Sequence, residues 1–182
     1  MKGLSDPGGR EINGRSDGYI SGLAIGEVTT NEDPKNLGRI RVRLPWHAET
    51  KTTYWARTAS PMAGQERGMF FVPEPGDEVL LGFDNGDPSH PYVLGSLWSE
   101  TRLPPIQEGG NDERVIKTRS GHVLRFSDAA DQPEVAVTHA DGKKIVLNGD
   151  DISLCVGESK IVINKESITL SAGEISLIER NA

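Results

Sequence analysis

The chain has 182 residues, a formal net charge of −7 and 5% aromatic residues. No basic run offsets this acidic balance, so nucleic acid is an unfavourable partner on electrostatic grounds. Cys155 is the single cysteine, which excludes an intrachain disulfide and a cysteine-based metal site. No stretch approaches the ~20 consecutive apolar residues of a membrane span. The N-terminus does not resemble a signal peptide, which indicates assembly in the cytoplasm.

The first part of the chain predicts a polar arm followed by a small barrel. Residues 1–17 are rich in Gly, Asp, Arg and Asn and lack periodicity, so they predict a flexible N-terminal arm. Residues 18–99 then contain short strands separated by turn residues, with no helical periodicity. This pattern predicts an OB-type Greek-key barrel. The predicted strands are Tyr19–Thr30, Leu37–Trp46, Thr53–Ser60, Met69–Val72, Glu78–Asp84 and Tyr92–Trp98.

The second of these strands has the clearest two-residue alternation. Its apolar residues predict the barrel interior, and its arginines predict a solvated or interface-facing surface rather than a nucleic-acid site. The inward set is Ile40, Val42 and Leu44, and the outward set is Arg39, Arg41 and Arg43.

A Pro- and Gly-containing linker at residues 100–113 separates the barrel from a repetitive section at residues 114–182. In this section, apolar pairs separated by one residue recur at first positions 145, 152, 161, 168 and 175, spaced by 7, 9, 7 and 7. Such a short period favours stacked repeats over an ordinary antiparallel meander, whose strands would usually be longer. The pairs are Ile145/Leu147, Ile152/Leu154, Ile161/Ile163, Ile168/Leu170 and Ile175/Leu177.

A repeat made of one short strand has only two inward side chains, so it cannot enclose a core within one chain. Three chains wound about a common axis can do so, because their apolar pairs then meet at the axis and few strand edges remain open. The repeats therefore predict an intertwined trimeric β-helix, with these pairs as the trimer core.

Several segments in order resemble the OB-fold and spike segments of VgrG proteins and of phage baseplate assembly protein V. They are LGRIRVRLPW, YWARTASPMAGQERGMFFVPEPGDEVLLGFDNGDPSHPYVLGSLW and IKTRSGHVLRF. The resemblance runs from about Gly18 to the end and implies a homotrimeric central spike that plugs the tube of a contractile injection system at the baseplate hub and pierces the target envelope. It also implies an extracellular injection particle, such as a phage tail baseplate, as the final location.

This chain departs from the pattern of VgrG-type spikes in three segments, and these departures narrow the predicted spike role. Only a short arm precedes the barrel, which implies a separate hub protein at the N-terminal end. The short linker leaves no room for an inserted lysozyme domain, and SLIERNA lacks the iron-binding His-x-His of some phage spikes. The resemblance then implies a PAAR-type tip protein seated on Ile175, Leu177 and Ile178.

Catalytic chemistry is not indicated. The histidines, His47, His90, His122 and His139, show no metal-ligand spacing. Asp84 and Asp87 lie in DNGDP, a composition typical of turns, and the Ser-Gly-His string has no supporting nucleophile. We therefore expect no enzyme activity, no cofactor and no metal. The alternative function is an OB-fold binding module for oligosaccharide or single-stranded nucleic acid.

Overall fold

A computed structural model of the chain describes residues 19–46, 48, 51–105 and 110–176, and regular structure there is β-strand with two short 3₁₀ turns at Asp84–Gly86 and Gly110–Asp112. The chain divides into two units between Arg102 and Leu103. Among the described residues, no helix is long and apolar enough to cross a membrane. The strands are β1 Ala24–Thr30, β2 Arg41–Arg43, β3 Arg57–Thr58, β4 Ala63–Gly64, β5 Arg67–Gly68, β6 Glu78–Phe83, β7 Pro91–Leu97, β8 Glu113–Lys117, β9 Val123–Ser127, β10 Glu134–Thr138, β11 Lys144–Asn148, β12 Asp151–Val156, β13 Ser159–Asn164 and β14 Ile168–Ser171.

The first unit is a five-stranded sheet that closes on itself. Its strand order is β2-β1-β6-β7-β3, with β3 and β7 parallel and the other neighbours antiparallel. An antiparallel bridge between Ile40 and Ala56 joins the two ends of this order. The Ile40 amide donates to the Ala56 carbonyl at 3.1 Å, and the Ala56 amide returns a bond of 2.8 Å. The bridge turns an open sheet into a barrel, which removes its exposed edges at this point.

The barrel core follows the predicted alternation. Ile40 and Val42 are fully buried and Leu44 is 1% exposed, whereas the arginines between them reach the surface. The inward set predicted for this strand is confirmed. Gly26 allows the close approach of β1 to β2, because a Cβ there would lie 2.4 Å from Val42 Cγ1. The buried residues are Ala24, Val28, Ile40, Val42, Leu44, Ala56, Val79, Leu81 and Val93.

The predicted strand at Met69–Val72 is wrong. These residues have no ladder partner among the described residues and follow the small β4–β5 hairpin. The Met69 amide donates to the Met62 carbonyl at 2.9 Å, and the Ser60 hydroxyl donates to the Met69 carbonyl at 2.7 Å. Local bonds therefore satisfy the backbone of Met69, and Phe70 and Phe71 remain 80% and 61% exposed.

The second unit is one seven-stranded sheet in consecutive order, β8 to β14, and every neighbouring pair is antiparallel. Asparagine side chains form two of its turns: Asn148 Oδ1 accepts from the amides of Asp150 and Asp151, and Asn164 Oδ1 accepts from those of Glu166 and Ser167. Within one chain the repeats therefore form the meander that the sequence disfavoured. The predicted intertwined β-helix is not confirmed.

Candidate interaction face

One face of the second unit carries two apolar columns, and we call them together the apolar face. The register sets each apolar pair directly opposite the next: Ile152, for example, lies opposite Leu147 on one side and Ile163 on the other. Because side chains alternate along each strand, both members of every pair point to the same face. The first column is Phe126, Val135, Leu147, Ile152, Ile163 and Ile168, and the second is Ile116, Leu124, Val137, Ile145, Leu154, Ile161 and Leu170.

The apolar face is open to solvent in a single chain. Ile145 is 42% exposed, Ile152 47%, Ile163 43% and Ile168 70%. Neighbouring strands cover only the sides of these residues, and among the residues of this unit that the structure describes, no second layer covers their tips. A sheet buries an apolar face only against another layer. A contiguous exposed apolar surface of this kind is typical of an interaction site.

Eight of the ten residues predicted as a trimer core belong to the two columns. Ile175 does not, because it lies beyond the last residue of β14 and is 52% exposed. Leu177, and with it Ile178 of the predicted tip contact, lies outside the described residues. Among the described residues, the columns thus begin earlier than the sequence pattern indicated and extend to β14.

The columns also contain residues that the sequence pattern missed, in β8, β9 and β10. These strands lack the Ile-x-Leu signature: β10 reads EVAVT, in which three apolar residues run together, and β8 places Arg114 opposite Phe126. Only the pairing register shows that they extend the same columns. The missed residues are Ile116, Leu124, Phe126, Val135 and Val137.

The opposite face, which we call the polar face, carries most of the charged side chains of the strands around a centre line of small and apolar residues. Arg125 lies there between two carboxylates, bonding Glu113 Oε1 at 3.2 Å and forming an ion pair with Glu134. Val146 and Ser153 lie in the centre line of this face and are 8% and 7% exposed. The small and apolar side chains on the centre line of the polar face are therefore largely covered within one chain, whereas the apolar face is open to a partner.

Two histidines that are far apart in the sequence lie together at one end of this sheet. The rings of His122 and His139 are 4.3 Å apart between centroids, and His139 Nδ1 lies 2.6 Å from Asp141 Oδ1. Bonds from Lys143 and then His139 hold the pKa of the Asp141 carboxyl well below its usual range. No group of three or more potential metal ligands exists among the described residues. His47 lies outside them.

The two aspartates of DNGDP form a turn. The Asp87 carboxylate accepts the Ser89 amide at 2.8 Å and lies 2.9 Å from His90 Nδ1, and the Asp87 amide donates to the Asp84 carbonyl. The Ser89 and His90 bonds lower the pKa of the Asp87 carboxyl. These contacts support the structural interpretation of the motif over an acid–base one.

Intramolecular contacts hold the arginine row of the barrel. Asp33, a largely buried residue, receives two bonds from the Arg39 guanidinium, of 2.9 and 2.6 Å, and Arg39 is the main cause of its strongly lowered pKa. Arg43 pairs with Glu27 at 2.7 Å, and the Arg41 guanidinium lies 4.9 Å from the Trp55 ring centroid. The row therefore stabilises the barrel surface through charge pairing and cation–π contact.

Comparison with known proteins finds a family model that matches the barrel. Residues 24–98 match the Type VI secretion system/phage-baseplate injector OB domain. The Type VI secretion system spike protein VgrG5 of Pseudomonas aeruginosa is 35% identical over 111 residues, 55% of this chain and 14% of that protein. The spike protein VgrG3 of Vibrio cholerae is 26% identical over 129 residues, 65% of this chain and 13% of that protein. The actin cross-linking toxin VgrG1 of Vibrio cholerae is 26% identical over 108 residues, 54% and 10% respectively.

The chain matches no more than 14% of the length of these relatives. The comparisons confirm the predicted resemblance to VgrG-type baseplate and spike proteins, and the family match and closed five-stranded sheet support the predicted OB-type barrel. Residues 24–98 match the injector OB domain family, in a chain that resembles VgrG-type spike proteins.

Proposed function

We propose that three copies of this chain associate through the apolar face and form the central spike of a contractile tail or injection system. In this role the barrel unit plugs the tube at the baseplate hub, and the second unit forms the needle that pierces the target envelope. The observation that carries the proposal is the pair of unbroken apolar columns, which are exposed in one chain and backed by a polar face.

Self-association follows from the energetics of a single-layer sheet. Fully burying one Ile or Leu side chain stabilises a protein by about 1.5–3 kcal/mol. The exposed column residues leave between 38% and 70% of their surface in water, so each contributes roughly 1 kcal/mol when a partner covers it. Over two columns this is a large driving force, and it is available only to an assembly.

The stoichiometry of three draws on the resemblance to spike proteins and agrees with the width of the apolar face. Each strand offers two inward side chains to the face. Three such narrow sheets around one axis enclose a continuous core with their polar faces outward, which is the arrangement expected of a trimeric β-helix or prism.

The partners at the two ends and the cellular route stay predictions. We expect a separate hub protein at the barrel end and a PAAR-type tip protein near Ile175, Leu177 and Ile178, with assembly in the bacterial cytoplasm and final location in an extracellular injection particle. We propose a structural role without catalysis, since the similar VgrG3 and VgrG5 are spike proteins by name.

Light scattering coupled to size exclusion tests the proposal directly. The expected mass is three times that of the 19.7 kDa chain. The trimer should also persist at urea concentrations that unfold an isolated sheet. Electron microscopy of the same sample should show a particle with one narrow end. A monomer at micromolar concentration contradicts the proposal.

The second candidate, an OB-fold binding module, rests on an arginine–aromatic strip of the barrel. Arg39 and Arg41 lie 5.5 and 4.9 Å from the Trp55 ring, and Arg57 lies 5.9 Å from the Tyr92 ring. Arginines and aromatic rings together bind single-stranded nucleic acid in many OB folds. Fluorescence titration with an oligothymidine at low salt tests this candidate, and saturable quenching of tryptophan emission that is lost in Arg41→Ala, which keeps Trp55, supports it.

A further inference from the structure

The turns of the second unit lie along two opposite margins of the sheet, where the strands begin and end, and these two margins carry opposite charge. We call each margin an edge; the word does not refer here to the outermost strands β8 and β14. Because the strands alternate in direction, successive turns fall on alternate edges of the sheet. One edge, which we call the acidic edge, contains Asp128, Asp131, Glu134, Asp150, Asp151 and Glu166, against Arg114 and Lys165. The other, the basic edge, contains Lys117, Arg119, Lys143, Lys144 and Lys160, against Asp141, Glu158 and Glu174.

Part of this charge has no partner within the chain. Glu134 pairs with Arg125, Asp128 with Arg114, and Lys143 with Asp141. In the described part of the chain, Lys144 and Lys160 form no ion pair, and neither do Asp150 and Glu166. All four are exposed. These two cations and two carboxylates are therefore free to meet a neighbouring molecule.

The unpaired charges also occur at matched positions along the stack of strands. Strand β11 begins with Lys144 at the basic edge, and the turn that follows it carries Asp150 at the acidic edge. Strand β13 has Lys160 at its basic end and leads to Glu166 in its following turn. Each of these two levels thus has a lysine on one side of the sheet and a carboxylate on the other.

We propose that the acidic edge of each copy pairs with the basic edge of the next copy around the ring. The inference rests on the proposed self-association and specifies its geometry. In a closed ring of rotated copies that all run in the same direction, one edge of each copy necessarily meets the opposite edge of its neighbour. Lys144 then approaches the neighbour's Asp150 position, and Lys160 its Glu166 position, at the same height.

The same charge pattern opposes the wrong assembly. Turning one copy end for end keeps its apolar face inward but exchanges its two edges, so that like edges meet. Juxtaposed like charges are unfavourable and suppress such pairings, while apolar columns alone distinguish the two directions poorly. The edges therefore select the parallel orientation that a spike with one barrel end and one needle end requires.

Charge reversal at one edge and then at both tests this inference in the full chain. The basic-edge variant is Lys144→Glu with Lys160→Glu, and the acidic-edge variant is Asp150→Lys with Glu166→Lys. The fourfold variant combines them. Lys35→Glu with Lys51→Glu, at exposed positions of the barrel unit, makes the same change in net charge as the basic-edge variant and is its control.

At low ionic strength each single-edge variant should show about a tenfold or greater increase in the chain concentration at which the assembly is half dissociated. Added salt should reduce this effect, and the fourfold variant should recover the wild-type value because its edges are complementary again. A simple folding defect would not be rescued by two further substitutions. If wild type is a trimer and the single-edge variants match the control, edge pairing is wrong although self-association stands. If wild type is a monomer, the proposed function itself is wrong.

Discussion

Replacing Ile163 by aspartate tests whether the apolar face is buried by self-association. Ile163 lies in the first column between Ile152 and Ile168 and is 43% exposed in one chain. Covering that remaining surface is worth about 1 kcal/mol per copy. An unpaired carboxylate buried in its place costs several kcal/mol more. Summed over three copies, the penalty is comparable with the whole stability of a typical domain, about 5–15 kcal/mol.

The matched control is Thr169→Asp, in the adjacent strand but on the polar face of the same sheet, where the side chain is exposed. Light scattering should show a trimer for the control and a loss of trimer for Ile163→Asp at the same chain concentration. Urea unfolding followed by circular dichroism should show a much lower midpoint for Ile163→Asp. If both variants have the mass and midpoint of wild type, the apolar face is not buried in the assembly and the reasoning from its columns is wrong.

Two further predictions concern the barrel unit. Gly26→Ala should lower the free energy of unfolding of the barrel, measured with urea, by about 1–3 kcal/mol. The reason is that the new Cβ would lie 2.4 Å from Val42 Cγ1 and 3.0 Å from the Arg43 carbonyl oxygen. The control Gly95→Ala, whose Cβ would have nothing within 4 Å, should change that free energy by less than about 0.5 kcal/mol. Asp33→Asn should lower the melting temperature followed by tryptophan fluorescence at pH 7, since Arg39 holds the pKa of the Asp33 carboxyl below its usual range. The stabilisation of the fold by the ionised Asp33 carboxylate is fully present above the unfolded-state pKa of about 3.9 and is lost as pH falls through the lower folded-state pKa. The difference in melting temperature between Asp33→Asn and wild type should therefore be constant above about pH 5 and shrink below about pH 4. A difference that does not change with pH would assign the effect to packing alone.

Local periodicity determined much of this protein. The alternation in Leu37–Trp46 was sufficient to place Ile40 and Val42 inside and the arginines outside, because a strand's side chains necessarily alternate between two faces. The same rule put both members of each Ile-x-Leu pair on one face. Ordered motifs over residues 18–99 were enough to indicate the OB-type barrel, which the injector domain match supports.

Pairing between distant segments was decided only by the tertiary structure. The contact between Ile40 and Ala56 closes the barrel, and the register that aligns Leu147, Ile152 and Ile163 builds a column from separate pairs. Neither contact has a local signal, because register depends on turn geometry and on which strands become neighbours. For the same reason β8–β10 were missed as parts of the apolar face, and Met69–Val72 was mistaken for a strand.

The charge asymmetry of the edges shows the same division. Lys144 and Asp150 are close in sequence, and nothing in their spacing indicates that they lie at the two opposite edges defined by the turns. The antiparallel meander separates them, since one strand length lies between a lysine at the start of β11 and a carboxylate in the turn that follows it. The sequence by itself determined which residues face inward along each strand. The tertiary structure decided which edges and columns those residues share, because these depend on hydrogen bonds between strands that local sequence does not specify.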